Sequence, residues 1–227
     1  LSAVRVTPMA AVPLTAQWSF ELRVPWQYRA LTFGGEDAAK AGGLGDLETA
    51  AAFRGAGRWW LRAGTRWPTG PLAKARTGEE LSDDVQPGAG TFIVYAGGGA
   101  TFAAPTWELG YGIAALLPVY ALREESPGPA LGVDAEAGWL AAHWLRLGVT
   151  STVRGSLASV EGSEPIDNTG GVHWLGGPAV TLLLPGGWVT RLRAPLPLAQ
   201  AYGGNHRIEW AVTLDVGWNP STGGPAP

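Results

Sequence analysis

From residue 18 the chain alternates. Trp18, Phe20, Leu22, Val24, Trp26 and Tyr28 hold one parity, while Ser19, Glu21, Arg23, Pro25, Gln27 and Arg29 hold the other. Period two over eleven residues predicts a strand with one apolar and one polar face. The same segregation recurs in Ile208, Trp210, Val212, Leu214, Val216 and Trp218 against Arg207, Glu209, Ala211, Thr213, Asp215 and Gly217. A third case sets Trp59, Leu61, Ala63, Thr65 and Trp67 against Arg58, Trp60, Arg62, Gly64 and Arg66. Strands this long are about twice the usual length in soluble sheets. Candidate strands cover 2–12, 16–30, 45–55, 57–68, 90–102, 106–120, 131–142, 144–156, 171–184, 187–197 and 206–218. Very short connections near Gly55–Gly57, Ala103–Pro105, His143 and Pro185–Gly187 alternate with long ones at 31–44, 69–89, 121–130, 157–170 and 198–205. Short turns at one rim and long polar loops at the other are the pattern of an antiparallel up-and-down transmembrane β-barrel, with the long loops extracellular.

The tryptophans sharpen this expectation. Trp18 and Trp26, Trp59 and Trp67, and Trp210 and Trp218 each stand eight residues apart on the apolar parity. Eight residues span roughly 26 Å along a strand. Tilted by about 40°, that is roughly 20 Å of height, close to the ~25 Å apolar band between the aromatic girdles of an outer-membrane barrel. Indole favours both levels because its ring is apolar and its N–H needs a wet partner. These six residues are therefore expected to mark the two membrane interfaces.

Strand count raises a difficulty. If the last strand runs toward the short-turn rim, counting back makes the first run the same way, and eleven strands do not fit the even-numbered antiparallel scheme. Two solutions stay open: a strand preceding Leu1 gives twelve, the preferred size, or residues 1–13 lie outside the wall and leave ten. The expected organisation is one barrel over 1–218 and a periplasmic C-terminal tail over 219–227.

Composition narrows the class further. Of 227 residues, 34 are Gly and 18 Pro, a load that long helices tolerate poorly. No cysteine is present, which excludes disulfides and thiolate metal sites. A net charge of −3 lacks the basic footprint of a nucleic-acid binder. Mean hydropathy is +0.06, unremarkable because only alternate residues of a barrel strand face lipid. No charge-free window of 18 apolar residues exists, so no transmembrane helix is expected. Leu1 to Ala10 carry Arg5 and Pro8 and no apolar run, so no signal peptide is read there.

The inward parity collects the charges: Glu21, Arg23, Arg29, Glu48, Arg54, Arg58, Arg62, Arg66, Glu108, Arg146, Arg154, Arg191, Arg193, Arg207, Glu209 and Asp215. Mixed signs in a narrow barrel are expected to pair across strands, shaping a passage or plugging it. Arginine outnumbers acid, which would favour anions or polarised solutes. Gly110, Gly112 and Ala114 share parity with Glu108 and leave room inside or accommodate an inward loop, while Gly97–Gly99 reads as a bend or bulge. Catalytic signals are weak. His143, His173 and His206 fall near predicted strand ends or turns, and His173 with Ser151 or Ser156 carries no motif. No spacing suits a metal, and no cofactor is expected. Glu79–Glu80 and Asp83–Asp84 make loop 69–89 acidic and solvated.

Gly43-Leu44-Gly45-Asp46-Leu47-Glu48 closes a long loop and opens the apolar-alternating run Thr49–Arg54, and Pro68-Thr69-Gly70 closes the next strand. Leu22-Arg23-Val24-Pro25 supplies a small-residue–Pro step. Together these resemble the outer-membrane channel family associated with the meta-pathway of phenol degradation, over residues 4–120 by motif and beyond by strand rhythm. The resemblance implies a bacterial outer-membrane barrel that moves hydrophobic or aromatic compounds. It also implies a strand ahead of 2–12, and it carries over no binding residues. The sequence thus predicts a non-enzymatic channel or small-solute transporter whose partners are the lipid bilayer and lumenal solutes. The alternative is a structural barrel with a filled interior that anchors or surrounds outer-membrane or periplasmic proteins.

Overall fold

A computed structural model describes residues 2–33, 36–56, 58–74, 86–162, 164–167, 169–202 and 210–218. The strands are β1 (Ser2–Pro13), β2 (Trp18–Arg23), β3 (Trp26–Phe33), β4 (Glu36–Leu44), β5 (Leu47–Arg54), β6 (Trp59–Trp67), β7 (Thr91–Ala103), β8 (Trp107–Ala121), β9 (Glu125–Ser126), β10 (Ala130–Ala142), β11 (Leu145–Ser156), β12 (Val160–Glu161), β13 (Glu164–Pro165), β14 (Gly171–Leu184), β15 (Trp188–Arg193), β16 (Leu196–Tyr202) and β17 (Trp210–Trp218). Three pairs act as single staves of the wall with a local break: β2 with β3, β4 with β5, and β15 with β16. The break in the third falls at Ala194-Pro195, where proline removes a ladder donor. Among the described residues the wall therefore has eleven staves, each antiparallel to its chain neighbours.

Closure is where the structure departs from the even-numbered scheme. β1 pairs with β17 in parallel, from Ser2 opposite Trp210 to Ala10 opposite Trp218. Both strands run from the long-loop rim to the short-turn rim, and that shared direction is what an odd number of alternating staves requires. The count is eleven, not twelve or ten, and the seam leaves no gap between first and last strands for another. Residues 2–13 are part of the wall, and the barrel is mixed rather than wholly antiparallel.

Two further expectations change. The stretch 31–44, read as a loop, is mostly strand, since β3 and β4 form a long hairpin. Its Ala and Gly residues offer no apolar alternation, so the ladder, not the side chains, reveals it. Gly97–Gly99 holds regular register with both neighbours, without bend or bulge. A Cβ at Gly99 would lie 2.1 Å from the Tyr111 carbonyl and 2.9 Å from the Trp60 ring, so glycine there permits close approach.

A true bulge lies elsewhere. Arg23 is opposite Glu48 and Trp26 opposite Leu44, so Val24 and Pro25 face three residues, Gly45, Asp46 and Leu47. The extra residue breaks the alternation of the β4–β5 stave. At the long-loop rim, β9 and β13 flank β12, joining the connections 122–129 and 157–170 in a small three-stranded sheet.

Candidate functional site

Outside, the apolar parity is uncovered. Phe20, Leu61, Leu109, Ile113, Val133, Val149 and Leu192 are all exposed although embedded in regular strands. Trp18, Trp26, Trp59, Trp67, Trp210 and Trp218 are exposed on the same face. Trp107, Trp139 and Trp188 join Trp18, Trp59 and Trp218 toward the short-turn ends of their strands, and Trp144 stands in the turn between β10 and β11, with Trp107 opposite Trp139 and Trp188 opposite Trp218. Indole N–H groups find hydroxyls on the same face: Trp67 donates to Thr49 Oγ1 at 3.1 Å and Trp174 to Ser151 Oγ at 2.8 Å.

The concave side is ionic. In one half of the barrel, Glu48 is buried between two arginines, Arg5 at 3.2 Å and Arg66 at 3.0 Å. Beside them Glu21 pairs with Arg23 at 3.3 Å and with Arg62 at 2.9 Å. Arg62 also donates to the Tyr95 hydroxyl at 2.9 Å and lies 5.0 Å from that ring's centroid, a cation–π contact. In the opposite half, Arg146 pairs with Glu108 at 2.8 Å, Arg191 with Glu136 at 3.1 Å, and Arg193 with Asp215 at 2.6 Å. Arg191 and Glu136 belong to strands separated by two others. Three strand spacings are about 14 Å along the wall, a gap these side chains close only on the inner side of the curvature.

A cavity of about 330 Å³ lies on this side and reaches across to Trp60 and Thr101, with Glu108, Asp134, Glu136, Thr152, Arg191 and Arg193 also in its lining. The Trp60 indole, the one tryptophan turned inward among the described residues, covers Gly99 and Gly112, where a Cβ would meet the ring at 2.9 Å. The room left by the small residues is thus partly taken by this ring. Asp134 accepts a 2.6 Å hydrogen bond from the Thr152 hydroxyl.

Of the other residues read as inward, Arg29 donates to Gln27 Oε1 at 3.1 Å, Arg154 sits opposite His173, and Arg54 is exposed at the end of β5. Arg58 precedes β6 in a tight turn, exposed, with φ of 71°, so it stands at the rim and not in the wall. Arg207, Glu209, His206 and the tail 219–227 lie outside the described residues. Ser151 bonds to Trp174 on the outer face, whereas His173 shares the inner face with Arg154, so the two cannot form a catalytic pair.

The sequence reading passed over Arg5, Tyr95, Asp134, Glu136 and Asp46. Parity could have found four of them: Arg5 and Thr7 alternate with Val4 and Val6, Tyr95 with Val94 and Ala96, and Asp134 and Glu136 with Val133, Ala135 and Ala137. Asp46 shares the parity of Glu48, but it stands in the bulge ahead of β5, where the alternation of β4 reverses.

A closed strand wall with an apolar exterior and an ion-paired interior defines an outer-membrane β-barrel. The fold is similar to that of an outer membrane channel from Pseudomonas putida F1, with a TM-score of 0.69 over 92% of this chain and 79% of that one, at 11% sequence identity. No protein-family model matches the sequence, and no curated protein resembles it in sequence.

Proposed function

We propose that this protein is a passive channel of the bacterial outer membrane that conducts small solutes through the barrel. The observation carrying this reading is the interior cavity bounded by Glu108, Asp134, Glu136, Arg191 and Arg193 inside a closed wall. Passage of charge or dipole through a membrane needs such groups, because the hydrocarbon outside offers none. In this reading Glu21, Arg23, Arg29, Glu48, Arg62, Arg66, Glu108, Arg146, Arg154, Arg191, Arg193 and Asp215 line the passage. The paired tryptophans hold the barrel at its two water boundaries. The resemblance implied hydrophobic or aromatic cargo, but an ionic lining is poorly matched to such compounds, and small polar solutes fit it better. The fold shared with a channel supports this reading.

Conductance of the purified chain in a planar bilayer tests it. The expected result is small discrete steps whose reversal potential in a salt gradient moves toward cations in Arg193→Glu. No current in any salt would overturn the channel reading. A structural barrel with a filled interior is the second reading, favoured by the density of ion pairs and by the loop segments folded into the long-loop mouth.

A further inference from the structure

The Gly-Leu-Gly-Asp and Pro-Thr-Gly motifs, 43–46 and 68–70, meet in space. Asp46 is 3% exposed, and its carboxylate accepts two backbone hydrogen bonds: from Gly70 N–H at 3.0 Å and from Ala89 N–H at 2.6 Å. These donors belong to the two roots, 68–74 and 86–90, of the connection between β6 and β7. The roots also grip one another. Gln86, 1% exposed, accepts from Ala73 N–H at 2.6 Å and donates to its carbonyl at 3.0 Å. A Cβ on Gly70 would lie 2.7 Å from Gly88 Cα, so backbone packs on backbone there. Gln27 on β3 donates to the Pro87 carbonyl, and Thr69 Oγ1 accepts from Leu47 N–H at 2.9 Å. Beneath this crossing lies a cavity of about 190 Å³, walled by Arg5, Gln27, Glu48 and Arg66 and roofed by Gln86 and Gly88.

We infer that Asp46 latches the two roots as a strap across the long-loop mouth, and that the strap sets the width of the passage there. The bulge gives this carboxylate the inward parity of Glu48, where the alternation of β4, with Leu44 exposed, would turn it out. An ionised acceptor makes stronger hydrogen bonds than a neutral one, and one carboxylate here serves two arms. Removing it leaves two part-buried N–H groups without their acceptor, which favours release of the strap. Only the effect on current rests on the channel reading; the latch itself does not.

The natural chain has no cysteine, so one engineered pair reports cleanly. A Cβ at Gly43 would stand 3.7 Å from Pro87 Cβ, within disulfide range. In full-length protein reconstituted in vesicles, Gly43→Cys with Pro87→Cys is expected to cross-link readily under mild oxidation. Adding Asp46→Ala should slow cross-linking about tenfold, and Asp46→Asn, which keeps one acceptor oxygen, should fall between. In planar bilayers Asp46→Ala should raise the conductance, and oxidising the cysteine pair in that background should return it to the wild-type level. Far-UV circular dichroism checks that each variant keeps its sheet. Equal cross-linking rates with and without Asp46 overturn the latch, and equal conductance overturns its control of passage. A wild type without current overturns the channel reading and the control of passage with it, while the cross-linking rates still decide the latch.

Discussion

Glu48 and Asp215 are both inward acids paired with arginine, yet their settings differ. The Glu48 side chain is 7% exposed and shared by two guanidinium groups, whereas Asp215 and Arg193 keep about a third of their surfaces in water. A buried pair that loses one member leaves an uncompensated charge, while an exposed pair is screened. Glu48→Gln is therefore expected to cost about 3 kcal/mol of barrel stability. Asp215→Asn should cost less than about 1 kcal/mol. Urea titrations of refolded protein in vesicles separate the two, and equal losses would contradict the burial argument. At this scale the sequence reveals which residue types share a face, since Glu21, Glu48, Arg62 and Arg66 follow parity. It does not reveal partners. That Arg191 reaches Glu136 across two strands depends on curvature, which no local pattern encodes. Asp46 is ambiguous for a related reason: parity counted from Glu48 turns it inward and parity counted from Leu44 turns it outward, because the bulge shifts the rhythm between them.

Among elements, the long strands were legible because lipid on one side and charge on the other force a period of two. The β3–β4 hairpin was not, since Ala39, Ala41, Gly42 and Gly43 lack contrast. Closure was half legible. Counting connections implies that first and last strands run the same way, but only the observed ladder shows that they pair. Parallel pairing forms evenly spaced, slanted bonds and needs no connecting hairpin, so a chain closing on itself can use it. The seam predicts a cross-link. Ala3 and Ala211 are register partners, and strands at about 4.8 Å spacing fall within disulfide Cα range. Ala3→Cys with Ala211→Cys should oxidise to a closed ring that migrates differently on a denaturing gel. Failure to cross-link in folded protein would argue for a different closing pair.

For the molecule as a whole, the exposed apolar surface makes sense only against hydrocarbon. Ile113 is 50% exposed in the middle of β8, and Leu184 is 43% exposed at the short-turn end of β14. With the barrel in a bilayer, Ile113→Arg should cost about 2–4 kcal/mol and Leu184→Arg at most about 1 kcal/mol. Measuring both by urea titration in vesicles maps depth, and a reversed order would displace the membrane belt proposed above. The odd stave count also has a consequence for how such a chain could be rewired. In an even barrel the last strand meets the first head to tail, and a tight turn suffices to fuse them when the chain is cut elsewhere. Here the exit of β17 and the entry of β1 stand at opposite rims. A circular permutant would need a crossover of a dozen or more residues threading the full height of the barrel, inside or out. Gene rearrangements that shuffle hairpins freely in even barrels are therefore topologically closed to this one at its seam.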